Sequence, residues 1–431
     1  MELFATLRNA WRIKDIRRKL LFTLAMLLVY RLGSFVPIPG IDSGWIRENI
    51  LGGEQAGGGL FGLFNVFTGG ALSNFSVFAM GIMPYINSSI IVNLLQAVIP
   101  KFEEWAKEGA EGRKKLTQVT RYGTIILGLI QAIGMSLAFR QAINISKSAN
   151  PTGYYVTLVI MILSLTAGTS FLMWLGEKIT EKGIGNGISM IIFASIISRL
   201  PMSIIQAYAL LKAGEISIIN ILVIAVLAIL VIAGMVYVSE GERRIPVQYS
   251  KRVIGRKMYG GASTHIPLKV NQAGVIPVIF ATSLLMLPQT IGQFWDNKTL
   301  QKIAAFFSLE STWSGKILAT ILIIFFAYFY TAITVNPAEL ADNIRKNGGF
   351  IPGIRAGRST SEYISRILNR ITLVGALFLA VIVVLPYIFE KIVGMNIGIG
   401  GTSLLIVIGV ALETMKQIES QMLMRHYKGF M

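Results

Sequence analysis

The chain has 431 residues, of which 53% are apolar and only 14% are charged, and its formal net charge is +18. Soluble domains carry about 25% charged residues, so this composition predicts a protein with several membrane spans. The chain has no cysteine and only two histidines, which excludes disulfides, thiolate chemistry and a histidine-rich metal site.

Apolar segments recur along the chain and predict ten membrane-spanning helices. Their approximate ranges are 20–36, 74–99, 122–139, 153–175, 184–201, 216–238, 273–291, 317–335, 371–389 and 399–415. We find no strand pattern, and a lipid-exposed backbone must satisfy its own hydrogen bonds, so we predict an all-α polytopic membrane protein. The first segment follows basic residues, as a signal peptide does. However, Arg31 interrupts it and "GSFVPIPG" is a poor cleavage site, so we interpret it as a retained span.

A half-length apolar block stands between the first two predicted spans, in "GGGLFGLFNVFTGGALSNFSV". The block from Leu60 to Thr68 is far shorter than the roughly 20 helical residues that cross a bilayer. Gly69 and Gly70 follow it at once and allow unusual backbone angles. The pattern indicates half a helix, which could be a re-entrant loop of purely structural use, and by itself it assigns no other role.

The distribution of lysine and arginine predicts the orientation of the spans. One side of the predicted membrane carries thirty of these residues and the other side carries nine, so we expect both termini in the cytoplasm. Five spans on each side of residue 210 predict two halves, and an odd number of spans per half makes the second half inverted. The short repeat "GIMPYI" in span 2 and "GVIPVI" in span 7 supports this division.

The predicted domains are therefore a cytoplasmic arm over 1–19, a first half over 20–209 and a second half over 210–431. The second half contains two long basic cytoplasmic loops, 239–270 and 337–370, and ends in a cytoplasmic tail. These loops either only fix the topology or also form a docking surface for a large, partly anionic partner.

The predicted membrane interior contains few ionisable residues, and most of its polar side chains are amides and hydroxyls. A coupled transporter usually keeps a titrating or ion-binding group at that depth. No phosphate-binding GxxxxGK[ST] motif occurs, and the glycines of "GIGNGIS" are better explained by close helix packing. A passive channel is thus favoured over a secondary transporter or a membrane-embedded enzyme. The energy would come from another protein, and no cofactor is expected.

Isoleucines recur at helical spacing in four of the predicted spans. Ile82 and Ile86 share one helix face, and so do Ile188 and Ile192, whereas spans 7 and 10 contribute Ile279 and Ile406. Such residues are usually core or lipid-facing. An apolar constriction that blocks ions by dewetting has the same pattern, so spacing leaves both interpretations open.

Several long segments resemble the SecY family in its bacterial form, over essentially the whole chain. The resemblance rests on "SVFAMGIMPYINSSIIVNLL", "WLGEKITEKGIGNGISMII", "KVNQAGVIPVIFATSLL", "NGGFIPGIRAG" and "GGTSLLIVIGVALE", in that order. Asn93 departs from the pattern, which usually has glutamine there. The resemblance implies the channel subunit of the Sec protein-translocation complex, which passes unfolded polypeptides across the membrane and releases apolar segments into lipid.

In that family ten spans form two inverted five-helix halves arranged like a clamshell, with a short plug half-helix. The resemblance implies a plug at about 60–73, including Leu60, Phe61, Phe64, Asn65 and Phe67, with a hinge at Gly69 and Gly70. It implies a pore ring of Ile82, Ile86, Ile188, Ile192, Ile279 and Ile406. It also implies a lateral gate between spans 2–3 and 7–8, for which our candidates are Asn87, Gln131, Asn271 and Leu287.

The resemblance gives the two basic loops a role in binding the SecA motor ATPase or the ribosome. The residues implied are Lys251, Arg252, Arg256, Lys257, Arg355 and Arg358. Arginine suits such partners because its planar fork binds phosphate and carboxylate groups alike. The other implied partners are the membrane subunits SecE and SecG, signal sequences, nascent polypeptides and membrane lipids. The implied location is the bacterial cytoplasmic membrane.

Overall fold

The computed structural model describes residues 11–46, 48, 60–145, 150–214, 217–249, 252–254, 257–259, 263–294, 302, 305–309, 312–393 and 401–428. The fold is predominantly helical. Before residue 214 the helices are α1 (Lys14–Gly33), α2 (Ser43–Ile46), α3 (Leu60–Phe67), α4 (Met83–Val98), α5 (Pro100–Lys107), α6 (Ala110–Ala138), α7 (Pro151–Lys182), α8 (Gly187–Ile197) and α9 (Leu200–Ala213). After it come α10 (Ile218–Glu240), α11 (Ile276–Phe294), α12 (Trp313–Thr334), α13 (Pro337–Lys346), α14 (Arg358–Val393) and α15 (Gly401–Lys428).

Side-chain caps fix where five of these helices begin. The oxygens of Asn150, Asn186, Ser217, Thr312 and Asn336 each accept a hydrogen bond from a backbone N–H in the first turn that follows. These N–H groups have no partner within their own helix, so a short polar residue at this position stabilises the start of the helix by about 1 kcal/mol.

Among the described residues, seven helices are long and apolar enough to cross a membrane. They coincide with the predicted spans 3, 4, 5, 6, 8, 9 and 10, and the one at span 5 is the combined stretch of α8 and α9, Gly187–Ala213. Helices also occur at the other three predicted spans. Of these, α1 begins in the basic arm, α4 has only 16 residues and α11 contains a shorter apolar stretch, Ile276–Gln289. The helix count by length and composition therefore supports a multi-pass membrane protein.

The predicted starts of spans 2 and 7 are corrected by the structure. Helix α4 begins at Met83, nine residues after the predicted start, and turns precede it. Gly81 and Gly274 have positive φ angles of 58° and 62°, which interrupt helical geometry and suit glycine. In both segments the helix begins two residues after this glycine, with proline as its second residue. "GIMPYI" and "GVIPVI" thus share a local structure as well as a sequence.

The prediction that the chain contains no strands is wrong in the two long loops. Strands β1 (Glu242–Tyr249), β4 (Ser263–Lys269) and β5 (Gly349–Phe350) form an antiparallel sheet in the order β4-β1-β5. A second antiparallel pair joins β2 (Arg252–Ile254) to β3 (Lys257–Tyr259). The strand signal is short and lies in a highly charged segment, so its alternation is hard to see from sequence.

The three-stranded sheet joins the two loops into one unit with its own small core. Ile245 and Val247 on β1 are buried against Ile344 of α13, Ile351 after β5 and Ile364 at the start of α14. We call this unit, formed by β1, β4, β5, α13 and the first turns of α14, the two-loop module. Its core shows that the predicted loops 239–270 and 337–370 do not behave as separate segments.

Glycines allow close helix crossing around the "GIGNGIS" segment, as the sequence predicts. A Cβ atom at Gly187 would collide with the backbone carbonyl of Gly176 on α7. At Gly168, likewise on α7, a Cβ atom would collide with the carbonyl of Val77. Helix α7 therefore packs against its neighbours backbone to backbone.

We predict that Gly187→Ala destabilises the protein by about 1–3 kcal/mol, because the added methyl group has no space and the carbonyl it meets cannot move aside. The measurement is the thermal unfolding midpoint of the purified protein in detergent. Gly234→Ala in α10 is the control, since its Cβ would lie 3.5 Å from the Phe378 ring, at ordinary contact distance. An equal midpoint for both variants would contradict the packing argument.

Candidate functional site

The six isoleucines that the sequence singles out lie in one hydrophobic cluster. Five are buried, and Ile188 is partly buried and packs against the same cluster; the buried ones are Ile82, Ile86, Ile192, Ile279 and Ile406. They come from α8, α11, α15 and α4, where Ile86 lies in the helix and Ile82 immediately precedes it. The cluster therefore joins elements from before residue 210 to elements from after it. We call it the central cluster.

Val275 is a member of the central cluster that the sequence analysis missed. It stands one residue after Gly274, as Ile82 stands one residue after Gly81. The carbonyls of Val275 and Ile82 accept backbone hydrogen bonds from the residues four positions later, of 3.2 and 3.1 Å. Val275 is 4% exposed and lies against Gly409 of α15. Aligning "GIMPYI" with "GVIPVI" places Val275 opposite Ile82, and this alignment would have identified Val275 from sequence.

Helix α3, which corresponds to the predicted plug, packs against the central cluster. Val66 and Phe67 are buried in the cluster, and Phe64 is partly buried against it. Phe67 also lines a cavity of about 10 Å³ with residues of α11, among them Leu285 and Gln289. Leu60 and Phe61 belong to α3, but their side chains lie outside the described part of the chain. The short helix thus contacts elements on both sides of the cluster.

The chain reverses direction immediately after α3, at the predicted hinge. Gly69 and Gly70 have φ angles of 64° and 89°, in the region that favours glycine. Asn65 closes the reversal, because its Oδ1 accepts a 3.1 Å hydrogen bond from the Ser73 N–H and its carbonyl accepts one of 2.9 Å from the Gly70 N–H. A Cβ atom at Gly69 would also stand only 3.0 Å from the Cα of Ser195 on α8.

The four gate candidates differ in their surroundings. Asn87 is 6% exposed, and among the described residues its Oδ1 has no hydrogen-bond partner. Gln131 and Leu287 are half-buried. Their helices meet, since α11 contacts both α4 and α6. Asn271 lies elsewhere, in a recess of about 270 Å³ between α10, α12 and α15 that is also lined by Glu413.

The basic candidates are only partly covered by the structure. Lys251 and Arg256 lie outside the described residues, and Arg252 and Lys257 are described by backbone alone, in β2 and β3. Arg355 and Arg358 are exposed on the two-loop module, and Arg358 forms an ion pair of 3.0 Å with Glu362. The carbonyl of Arg355 accepts a 2.9 Å hydrogen bond from Thr360 Oγ1. The backbone that carries Arg355 is therefore held, while its guanidinium group faces outward.

Physical chemistry restricts what the central cluster can do. Apolar side chains form no directional bonds, so they can separate and close again without leaving an unpaired polar group. A narrow apolar constriction excludes ions because water leaves it. The arrangement is thus suited to sealing a passage through the membrane and unsuited to acid–base or nucleophilic chemistry.

Known proteins similar to this chain were found by sequence. The family model described as SecY matches residues 76–415. A protein of Halalkalibacterium halodurans named Protein translocase subunit SecY is 52% identical, over 99% of this chain and 100% of its own length. The protein of the same name from Bacillus subtilis is 48% identical over 100% of both chains, and that of Thermotoga maritima is 44% identical over 98% and 96%.

Solved structures show the same fold at lower sequence identity. A protein-conducting channel is similar with a TM-score of 0.62 at 20% identity, over 94% of this chain and 92% of that one. A SecY structure solved to examine its plug domain has a TM-score of 0.65 at 20% identity with the same coverage. Because the family model covers most of the residues and bacterial relatives match over their whole length, the chain belongs to the SecY family.

Proposed function

We propose that this chain is the channel subunit of a Sec protein-translocation complex, through which unfolded secretory polypeptides cross the membrane. The observation that carries the proposal is the central cluster. It joins isoleucines from elements before and after residue 210, and α3 packs against it. An uncharged seal of this kind can fit around many different side chains, because it has no hydrogen-bonding pattern that a substrate must match. The chain is a passive pore and not an enzyme.

The proposed architecture has ten spans in two inverted halves, with α3 as the plug. The shared local structure of "GIMPYI" and "GVIPVI" supports the relation between the halves. The excess of lysine and arginine on one side supports cytoplasmic termini, and the bacterial relatives support the bacterial cytoplasmic membrane.

The proposed lateral gate lies between α4 and α6, at spans 2 and 3, and α11 and α12, at spans 7 and 8. Helix α11 contacts α4, α6 and α12, and the gate candidates Asn87, Gln131 and Leu287 carry no charge. A small number of weak polar contacts would keep the seam closed and still yield to the binding energy of a signal sequence. Apolar segments of the substrate would leave through this seam into lipid.

The proposed partners are the membrane subunits SecE and SecG, and SecA or the ribosome at the two-loop module. The hydrogen bond to the backbone carbonyl of Arg355 and the exposure of its side chain support the module as a docking surface. One similar solved structure is Sec61 of a canine ribosome–channel complex, with a TM-score of 0.58 at 18% identity. Each partner would bind in turn, because they share one surface.

We predict that an idle channel conducts ions when Ile82, Ile86, Ile188 and Ile192 are all replaced by glycine. The substitutions remove the side chains that close the passage and admit a continuous file of water. The measurement is the conductance of the reconstituted channel in planar bilayers.

The control replaces four exposed isoleucines of α6 and α9, namely Ile126, Ile130, Ile204 and Ile205. It introduces the same number of helix-weakening glycines away from the central cluster and should stay closed. If the ring variant conducts no more than this control, these isoleucines are not the seal.

We predict that Arg355→Glu reduces SecA-driven translocation roughly tenfold, because the reversed charge repels an anionic docking partner. The fold should survive, since the nearby hydrogen bond uses the backbone carbonyl and the side chain is exposed. Transport of a secretory precursor into reconstituted vesicles measures the effect. Arg140→Glu, outside the module, is the control, and normal transport by the Arg355 variant would remove this residue from the docking surface.

A further inference from the structure

Arg31 lies in the last turn of α1, after the apolar part of that helix, and its side chain reaches the turn that follows α3. Its Nη1 donates a 2.7 Å hydrogen bond to the carbonyl of Gly69 and one of 3.2 Å to Ser198 Oγ. The guanidinium carbon also lies 4.6 Å from the centre of the Phe35 ring. A guanidinium group in a membrane span needs such acceptors, because an unpaired charge there is costly. Arg31 therefore donates the shorter of these two hydrogen bonds to the proposed plug hinge.

Tyr30, the neighbouring residue, makes a parallel connection. It is 2% exposed, and its hydroxyl donates a 3.0 Å hydrogen bond to the carbonyl of Thr68. The same hydroxyl shares a 2.6 Å hydrogen bond with Ser195 Oγ on α8. Two adjacent side chains of α1 thus hold two adjacent carbonyls of the turn, and each is also bound to a serine that follows or belongs to α8.

The strength of these bonds follows from their chemistry and position. A hydrogen bond from an ionised donor is roughly twice as strong as a neutral one. Both carbonyls belong to the turn at Gly69, whose left-handed backbone lies directly against the backbone of α8. Movement of the turn would leave the guanidinium of Arg31 short of one acceptor and the hydroxyl of Tyr30 short of another. Such a loss is expensive away from water.

We infer that Tyr30 and Arg31 form a latch that positions the plug in the closed channel, an inference that rests on the plug assignment made above. Both residues of the latch, and the serines that support them, lie before residue 210. By contrast, Phe67 at the end of α3 faces α11, which lies after it. Separation of the two halves would therefore free only one side of α3, and the plug would stay tethered to the first half until the latch broke.

The experiment uses the absence of cysteine from the chain, which makes a single introduced thiol an unambiguous reporter. Val66 is 9% exposed in the central cluster, so Val66→Cys reports when α3 leaves it. The measurement is the rate at which a water-soluble maleimide modifies this thiol in the idle, reconstituted full-length complex. Adding Arg31→Gln should raise the rate roughly tenfold or more, the equivalent of one lost hydrogen bond to a charged group.

Arg140→Gln is the matched control, because Arg140 is an exposed arginine outside the latch, and it should leave the rate unchanged. Arg31→Lys should give an intermediate rate, since lysine keeps the positive charge but its ammonium nitrogen ends one atom short of the position of Nη1, the atom that donates both bonds. Equal rates for Arg31→Gln and Arg140→Gln would overturn the latch.

Tyr30→Phe keeps the ring and removes only the hydroxyl, so it tests the latch even if Arg31→Gln fails to fold. It should accelerate modification, and an unchanged rate would also overturn the proposal. Transport of a precursor by the unaltered chain tests the proposed function separately. If the unaltered chain transports the precursor but the substitutions leave the modification rate unchanged, the latch is disproved and the proposed function is not.

Discussion

Helices from before and after residue 210 meet through isoleucine side chains, which carry no charge and form no hydrogen bonds. This contact is held by close apolar packing, whose strength depends on contact area and not on direction, and it also keeps the side chains away from water. Each buried isoleucine contributes about 1.5–3 kcal/mol relative to full exposure to water. A passing polypeptide can replace one apolar neighbour with another at a much smaller cost. The same contact can therefore close the idle molecule and yield to a substrate.

Directional bonds are concentrated at a different place, around the turn after α3. Asn65, Tyr30 and Arg31 all bind backbone groups of this turn. The apolar contact tolerates any shape, whereas these bonds require one geometry. The central cluster can thus adapt to different shapes, whereas hydrogen bonds hold α3, which packs against it, in one position. Glycine at 69 and 70 makes the combination possible, because only glycine fits the reversal without strain.

Periodicity and charge predicted most of the helices, and helical spacing selected isoleucines that lie together. Periodicity and charge do not predict features that depend on contacts between distant parts of the chain. Val275 was missed because the spacing was sought among isoleucines alone, although Val275 and Ile279 stand four residues apart, as Ile82 and Ile86 do. The strands were missed because β1 is stabilised by pairing with β4 of the same loop and with β5, which lies in the other loop. The partners of Arg31 are also set by tertiary contact, so sequence could only identify the charge as unusual.

The two-loop module is joined very closely to the helices that enter the membrane. Only Gly241 separates α10 from β1, α13 follows α12 after two residues, and α14 runs without interruption from the module into the membrane. Every one of these connections belongs to the later part of the chain. A protein that bound the sheet would therefore act directly on one side of the proposed lateral gate alone. A push or twist applied there would act as a torque between the two sides, without any ligand having to enter the passage.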